Sequence, residues 1–347
     1  MSQRIEEYSA GAQQALKAYA LACPALTFLR HNENLTFQVS DGKQGTRYLL
    51  RLHVPLNEYL AGTQQQPAAL ASELLWLEAL HQETRLTVQQ PVRNRSGSLV
   101  TLIEAGATTI PCTLLHWVEG ESLLQVPPTA ELAQALGAVV AQLHTQVQQW
   151  SIPAGFLRPR YDREHFRRQV ALLAPGVTMG MLQANDYALL QDMVEAILVL
   201  IAPLEENRQQ WGLLHSDLHR GNCLVYNQDI RPIDFSLCGF GYLLFDCGTC
   251  LASLPRAFRQ AFLTGYTSHH AFDEQTPRLL DAFFLLSRLG AYIFMLPNPT
   301  DQPWLRERIP RFVSQECRLF MQQESVIFNA PPEAKIGAPL VQSGPET

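Results

Sequence analysis

The sequence predicts an α+β chain of two lobes, a small β-rich one followed by a larger, mainly α one. From Pro24 to Val118 the apolar residues fall in short strand-like runs separated by turn residues, with a single helical stretch among them. From Thr129 onward they recur at helical spacing, interrupted by a polar motif at His215–Asn222 and a short hairpin pattern behind it. The length of 347 residues also fits two lobes, since one domain usually takes ~100–200 residues.

Taken in order, the first segment, MSQRIEEYSAGAQQALKAYALAC, ends in a sequence like a lipoprotein cleavage box at Ala20 to Cys23. Lys17 and several glutamines interrupt the hydrophobic region such a leader needs, so the segment is read as an amphipathic helix. The runs ALTFLR, NLTFQV and RYLLRLHV follow as strands, with Asp41-Gly42 as a turn signal. In AALASELLWLEALHQET, Leu70, Leu74, Leu77 and Leu80 share helical spacing, and Ser72 and Glu73 lie early in that helix. SLVTLIEA and PCTLLHWV complete the β-rich lobe, and EGESL is a polar connector that sets the boundary near Glu119, giving lobes 1–118 and 119–328.

Thr129, after Pro127 and Pro128, is a plausible N-cap for a helix whose apolar face is Leu132, Leu136, Val139, Val140, Leu143 and Val147. Another helix runs from Asp186 to Leu204, and several more fill Leu251 to Ile327. Residues 329–347 are rich in Pro and Gly without apolar period, which predicts a disordered tail.

Composition narrows the function. A net charge of −6 gives no long-range attraction for nucleic acid or anionic lipid, so neither partner is expected. The most apolar segments, Met193 to Leu204 and Phe283 to Leu296, are broken by Glu195 and Arg288 and fall short of the roughly 18 residues of a spanning helix. A soluble, cytoplasmic protein is expected. Seven scattered cysteines make no disulfide framework, and Cys247 and Cys250, a C-x-x-C in an apolar stretch, are read as buried free thiols.

The motif HSDLHRGN allows two readings. Were the chain extended there, His215, Asp217 and His219 would alternate onto one face as a zinc or iron ligand set. The following NCLVYNQDIRPIDF, however, reads as strand Cys223–Tyr226, turn Asn227–Asp229 and strand Arg231–Phe235, a hairpin that returns Asn222 to the side of Asp234. One amide oxygen and one carboxylate then converge, a hard-oxygen pair suited to Mg2+. Asp217 stays free to meet an incoming hydroxyl.

The spacing H-x-D-x-x-x-x-N followed by I-D-F resembles the catalytic loop and metal motif of kinase-fold phosphotransferases. The full form, HSDLHRGN...PIDFSLCGFGYLLFDCGTCL, is similar to the aminoglycoside phosphotransferase and choline kinase family, with a later Asp at Asp246. The resemblance implies a bilobal protein-kinase-like fold, ATP and Mg2+ as cofactors, and transfer of the γ-phosphoryl group to a small-molecule acceptor. It implies Asp217 as the catalytic carboxylate, Asn222 and Asp234 as metal ligands, and Arg51, held by Glu73, on the nucleotide phosphates. It also implies that the His116 carbonyl and the Val118 N–H meet the adenine edge in the connector.

No G-x-G-x-x-G stands between the first two strands, where a turn such as His31 to Asn34 would cover the phosphates, and no D-F-G or A-P-E follows. The first departure favours small-molecule members over typical protein kinases, and the second argues against regulation through a phosphorylated activation loop. A serine/threonine protein kinase of the same fold and a non-catalytic nucleotide-binding module are the alternatives. His215 and Asp246 are read as braces of the loop, His144 as a satisfied core histidine, and His219 and Arg220 as near enough to touch phosphate or substrate. Arg256 to Glu324 holds eight Arg against seven Asp plus Glu, a balance that argues against a polycationic acceptor.

Overall fold

The structure, a computed structural model, describes residues 2–31, 34–42, 45–54, 65–105, 108–205, 207, 209–298 and 301–330. Helix α1 (Ser2–Leu16) precedes strands β1 (Pro24–His31), β2 (Leu35–Asp41) and β3 (Thr46–Leu52), helix α2 (Pro67–Glu83), and strands β4 (Thr101–Ala105) and β5 (Thr108–His116). The strands form one antiparallel sheet in the order β1-β2-β3-β5-β4. Alternation decides which face is inside: Leu35, Phe37 and Val39 of β2 and Leu50 and Leu52 of β3 are buried with Ile103, Cys112 and Leu114. The N-terminal segment covers that face with Ala12, Ala15, Leu16 and Tyr19, as an amphipathic helix should.

The chain then forms β6 (Glu121–Ser122), α3 (Ala130–Gln149), β7 (Arg160–Tyr161), α4 (Arg163–Ala171), α5 (Ala174–Thr178), α6 (Ala184–Ile201), β8 (Trp211–Leu214), β9 (Cys223–Tyr226), β10 (Asp229–Pro232) and β11 (Gly239–Tyr242). Helices α7 (Leu244–Ser253), α8 (Arg256–Thr267), α9 (Thr276–Met295) and α10 (Gln302–Arg311) follow, then a π-helical turn at Phe312–Cys317 and the short α11 (Arg318–Met321) and α12 (Val326–Asn329). Two small sheets, β10-β9-β6 and β7-β11-β8, lie among the helices. β6, β7, β8 and β11 are too short, at two to four residues, to show alternation in sequence.

Thr129 caps α3, its side chain accepting from the Leu132 N–H at 3.2 Å, and the apolar face of that helix is buried. α3 packs closely on α8 through two glycines: a Cβ at Gly265 would lie 1.9 Å from the Gln134 carbonyl oxygen, and one at Gly137 would lie 2.0 Å from that of Phe262. Here the absent side chain sets how near the helix backbones come.

Several expectations shift. The second strand of the catalytic hairpin is Asp229–Pro232 rather than Arg231–Phe235, because Phe235–Leu237 coils into a 3-10 turn. The turn is the two-residue pair Asn227 and Gln228, both left-handed at φ 51° and 67°, the geometry that matches strand twist. Ala184–Leu204, 21 residues, is long and apolar enough by length and composition to cross a membrane, so Glu195 does not break it as expected. In the fold its Leu190, Met193, Val194, Ile197, Leu198 and Ile201 face the core. The seven cysteines are free, with Cys247 and Cys250 buried in α7. Asn32 and Glu33 of the expected phosphate-covering turn, and 331–347 of the expected tail, lie outside the described residues.

Gly265→Ala is expected to lower unfolding free energy by about 1–3 kcal/mol or more through overpacking, measured by urea denaturation. An unchanged midpoint would contradict the close α3–α8 contact.

Candidate active site

The catalytic motif lies between β8 and β9. Leu213 and Leu214 are buried in β8, and the strand stops where Ser216 turns left-handed at φ 66°. A non-glycine residue there carries strain of order 1 kcal/mol, which Asp246 offsets. Its two carboxylate oxygens accept the His215 N–H at 3.0 Å and the Ser216 N–H at 2.7 Å, while the Ser216 hydroxyl donates to the Leu237 carbonyl. Behind it, His144 Nε2–H faces Asp246 Oδ2 at 3.4 Å and Nδ1 accepts from the Tyr266 hydroxyl at 3.0 Å. His144 is thus a satisfied core histidine and Asp246 the brace of the loop.

Because Ser216 breaks the extension, His215, Asp217 and His219 do not share a face. His215 Nε2–H donates to the Ile233 carbonyl at 3.0 Å, and its Nδ1 accepts from the Asp217 N–H at 3.3 Å. His219 Nδ1 accepts from the Gly221 N–H at 2.9 Å, which leaves Nε2–H 3.7 Å from Asp217 Oδ2. Among the described residues no group of three His, Cys, Asp or Glu could hold a metal ion, so the histidine-centred zinc reading falls. Arg220 also departs from expectation. It turns inward, Nη2 donating to the Leu123 and Val126 carbonyls at 2.8 and 3.1 Å, and so braces the chain after β6 rather than facing a substrate.

Asp217, Asn222 and Asp234 come together as the hairpin requires. Cys223 pairs with Pro232, and the Ile233 N–H donates to the Asn222 carbonyl at 2.9 Å. Asn222 Nδ2 donates to Asp217 Oδ2 at 2.8 Å and to the Asp217 carbonyl at 3.0 Å, so the side-chain oxygen of Asn222 points the other way. Asp234 is left-handed at φ 63°, ψ 65°, and its N–H donates to Gln89 Oε1 at 3.1 Å. Arg30 reaches toward its carboxylate at 4.0 Å.

The two carboxylates are pushed apart in acidity. Burial raises Asp217 above the ordinary carboxylate value, with His219 and His215 opposing and the neighbouring Asp234 charge adding to the rise. Burial pushes Asp234 the same way, but Arg51, then Ser236, Arg30 and His215 outweigh it and hold Asp234 below the ordinary value. Asp234 is therefore the firmly ionised member of the pair.

Arg51 and Glu73 form a buried pair rather than a surface one: Nη2 to Oε1 is 2.6 Å, with the side chains 4% and 1% exposed. β3 places Arg51 opposite Thr113 of β5, whose hydroxyl accepts from Arg51 Nε–H at 3.3 Å and lies 3.0 Å from His53 Nε2. Burial, then Arg51 and Arg158, push His53 well below its ordinary range, so it is neutral and accepts the Thr113 proton. In the connector, the Trp117 N–H donates to the Arg47 carbonyl at 3.0 Å. The His116 N–H, at the end of β5, meets the Gln90 carbonyl at 2.8 Å on the opposite side.

Gln89, Thr113 and Arg158 were not visible as site residues in the sequence. Gln89 and Arg158 lie in irregular stretches without periodicity, and Thr113 meets Arg51 only through the strand register. The family model described as "Phosphotransferase enzyme family" matches residues 25–283. The chain belongs to that family. No curated protein sequence matches it. Among solved structures, a microcompartment-associated aminopropanol kinase is 26% identical with a TM-score of 0.75, the match covering 92% of this chain and 99% of that one. An amicoumacin kinase in complex with AMP-PNP, Ca2+ and Ami is 19% identical at TM-score 0.73 (94% and 97% covered), and a spectinomycin phosphotransferase with ADP and its antibiotic is 14% identical at 0.56 (89% and 92% covered). The phosphotransferase therefore has the protein-kinase-like α+β fold that its motifs imply, and it is an enzyme of the kinase class.

Glu73→Ala should cost about 3–5 kcal/mol of stability, because it strands a buried guanidinium. Arg30→Gln removes only a long, half-exposed pair and should cost under ~1 kcal/mol. Equal costs in urea denaturation would contradict the assigned burial.

Proposed function

We propose that this phosphotransferase moves the γ-phosphoryl group of ATP to the hydroxyl of a small amino alcohol, with Mg2+ as cofactor. The observation that carries the reading is the Asn222 amide. Its nitrogen is committed to Asp217, which turns its oxygen away from that carboxylate to serve, with the ionised Asp234 that the hairpin returns, as a pair of hard donors. Two such oxygens, without imidazole or thiolate, fit Mg2+ better than zinc. When bound, the ion would neutralise charge on the phosphate oxygens.

In the reaction, the acceptor oxygen forms a bond to the γ-phosphorus as the bond from that phosphorus to the β-bridging oxygen breaks, and ADP leaves. The acceptor proton passes to the Asp217 carboxylate. Arg51, oriented by Glu73 and Thr113, would hold the α and β phosphates as a fork. The His116 carbonyl and Val118 N–H would take the adenine edge. Most of the acceleration then comes from alignment and charge stabilisation, in keeping with a loose transition state.

Two points support the acceptor class. The aminopropanol kinase matches over nearly its whole length, and the balance of eight Arg against seven Asp plus Glu from Arg256 to Glu324 lacks the negative field a polycationic antibiotic would need. A cytoplasmic setting belongs to the same reading, consistent with seven free cysteines.

An ATP-consumption screen over amino alcohols, sugars and aminoglycosides should find turnover with the first group. With that acceptor, Asp217→Asn should lower kcat roughly 10²–10⁴-fold while retaining nucleotide binding. Asp234→Asn should abolish the Mg2+-dependent part of nucleotide binding by calorimetry, and full turnover in that variant would sink the assignment. Turnover requires ionised Asp217, whose acidity burial has weakened, so kcat should be complete above its raised pKa and fall as pH drops through it. The acid limb is therefore expected above the ordinary Asp value of about 4, and a profile flat down to that pH would contradict the role of Asp217.

A further inference from the structure

Arg158 lies between α3 and β7 and belongs to none of the sequence motifs. Its side chain is buried, at 6% exposure, and it donates to three backbone carbonyls. Nε donates to Cys238 at 2.6 Å, Nη1 to Ala69 at 3.1 Å, and Nη2 to Ser236. Beside it, the Leu157 N–H donates to the Ser72 hydroxyl at 2.8 Å. Among the described residues no carboxylate forms an ion pair with it.

These partners come from two separate parts of the site. Ala69 and Ser72 belong to the first turns of α2, directly before Glu73, the partner of Arg51. Ser236 and Cys238 follow Asp234 in the segment that leaves the hairpin. One guanidinium therefore ties the helix behind the phosphate anchor to the segment that carries a cation ligand. Its planar fork suits this task, since donors diverging at fixed angles can hold carbonyls from two elements at once. A buried cation without a carboxylate partner is costly unless its donors are satisfied, so the bonds constrain the two elements jointly.

We propose that Arg158 is a positioning residue that staples α2 to the Asp234 segment, so that the phosphate anchor and the cation ligands are assembled before nucleotide arrives. The roles of Arg51 and Asp234 in this statement rest on the phosphotransfer reading above. The consequence is an enzyme without a swung-out α2 state, in which Arg51 keeps Glu73 whether or not substrate is bound. Control of activity through displacement of that helix is then closed to this chain.

The test measures ADP affinity with and without Mg2+ by calorimetry, together with native-state hydrogen exchange of the substrate-free protein. In the wild type, Mg2+ should tighten ADP binding, and amides of residues 69–76 and 234–238 should be protected. In Arg158→Met, the enhancement by Mg2+ should shrink roughly ten-fold or more, given the strength of hydrogen bonds from a charged donor. Exchange in both segments should rise together. Arg158→Lys, which can satisfy fewer carbonyls, should recover part of both effects.

A folded Arg158→Met protein with wild-type enhancement and wild-type exchange overturns the proposal. Should that variant not fold, Arg158→Lys and Ser72→Ala carry the test, since each weakens only part of the staple. Joint loosening of both segments in them supports it, and unchanged values in both overturn it. A wild type whose ADP affinity ignores Mg2+ refutes the phosphotransfer reading instead, while the exchange data still decide the staple.

Discussion

The carboxylate of Asp246 is fully buried, and its two oxygens grip two consecutive backbone amides, those of His215 and Ser216. Everything at the catalytic loop depends on that grip. It holds Ser216 in a left-handed conformation the residue would otherwise avoid, and this bend ends β8 and turns Asp217 out of the strand direction. The grip is itself supported from below, where His144 links Asp246 to Tyr266 of α8. The close glycine contact between α3 and α8 thus bears on the geometry of the loop, because His144 stands on one helix and Tyr266 on the other.

The charges around the cleft form one system rather than separate pairs. Burial lowers the tendency of Arg51 to carry charge, but Glu73 and then Asp234 more than restore it. Reciprocally, Arg51 is the leading group that holds Asp234 ionised against burial. Asp217 lacks such a partner, and the His219 imidazole stands 3.7 Å from its carboxylate with its other nitrogen tied to the Gly221 amide. Two carboxylates that flank one hairpin, before its first strand and after its second, thereby acquire different acidities, suited to holding a cation and to receiving a proton.

The two lobes share an apolar core, with Trp76 of α2 edge-on to Phe235, and polar groups join them at this system as well. Gln89, between α2 and β4, accepts the amide of Asp234, and Arg158 spans α2 and the segment after Asp234. Each satisfies backbone groups that would otherwise be buried without partners. Hydrogen bonds of this kind add a directional restraint on the relative position of the lobes to that of the shared apolar core.

Much of the site was legible in the sequence because its residues are local in the chain. Asp217 and Asn222 share one loop, a hairpin of two short strands returns to Asp234, and the family resemblance pointed to Arg51 and Glu73 on a strand and the next helix. Alternation and helical spacing likewise declared the β-rich half, the capped α3 helix and the apolar face of the first helix, since burial imposes those periods directly on residue choice. The tertiary structure alone decided the rest. Whether the Arg51–Glu73 pair is buried, which way Arg220 turns, and that Gln89, Thr113 and Arg158 belong to the site all depend on contacts between segments tens of residues apart. Such contacts leave no period behind, because a polar side chain that satisfies a distant carbonyl looks in sequence like any solvated residue.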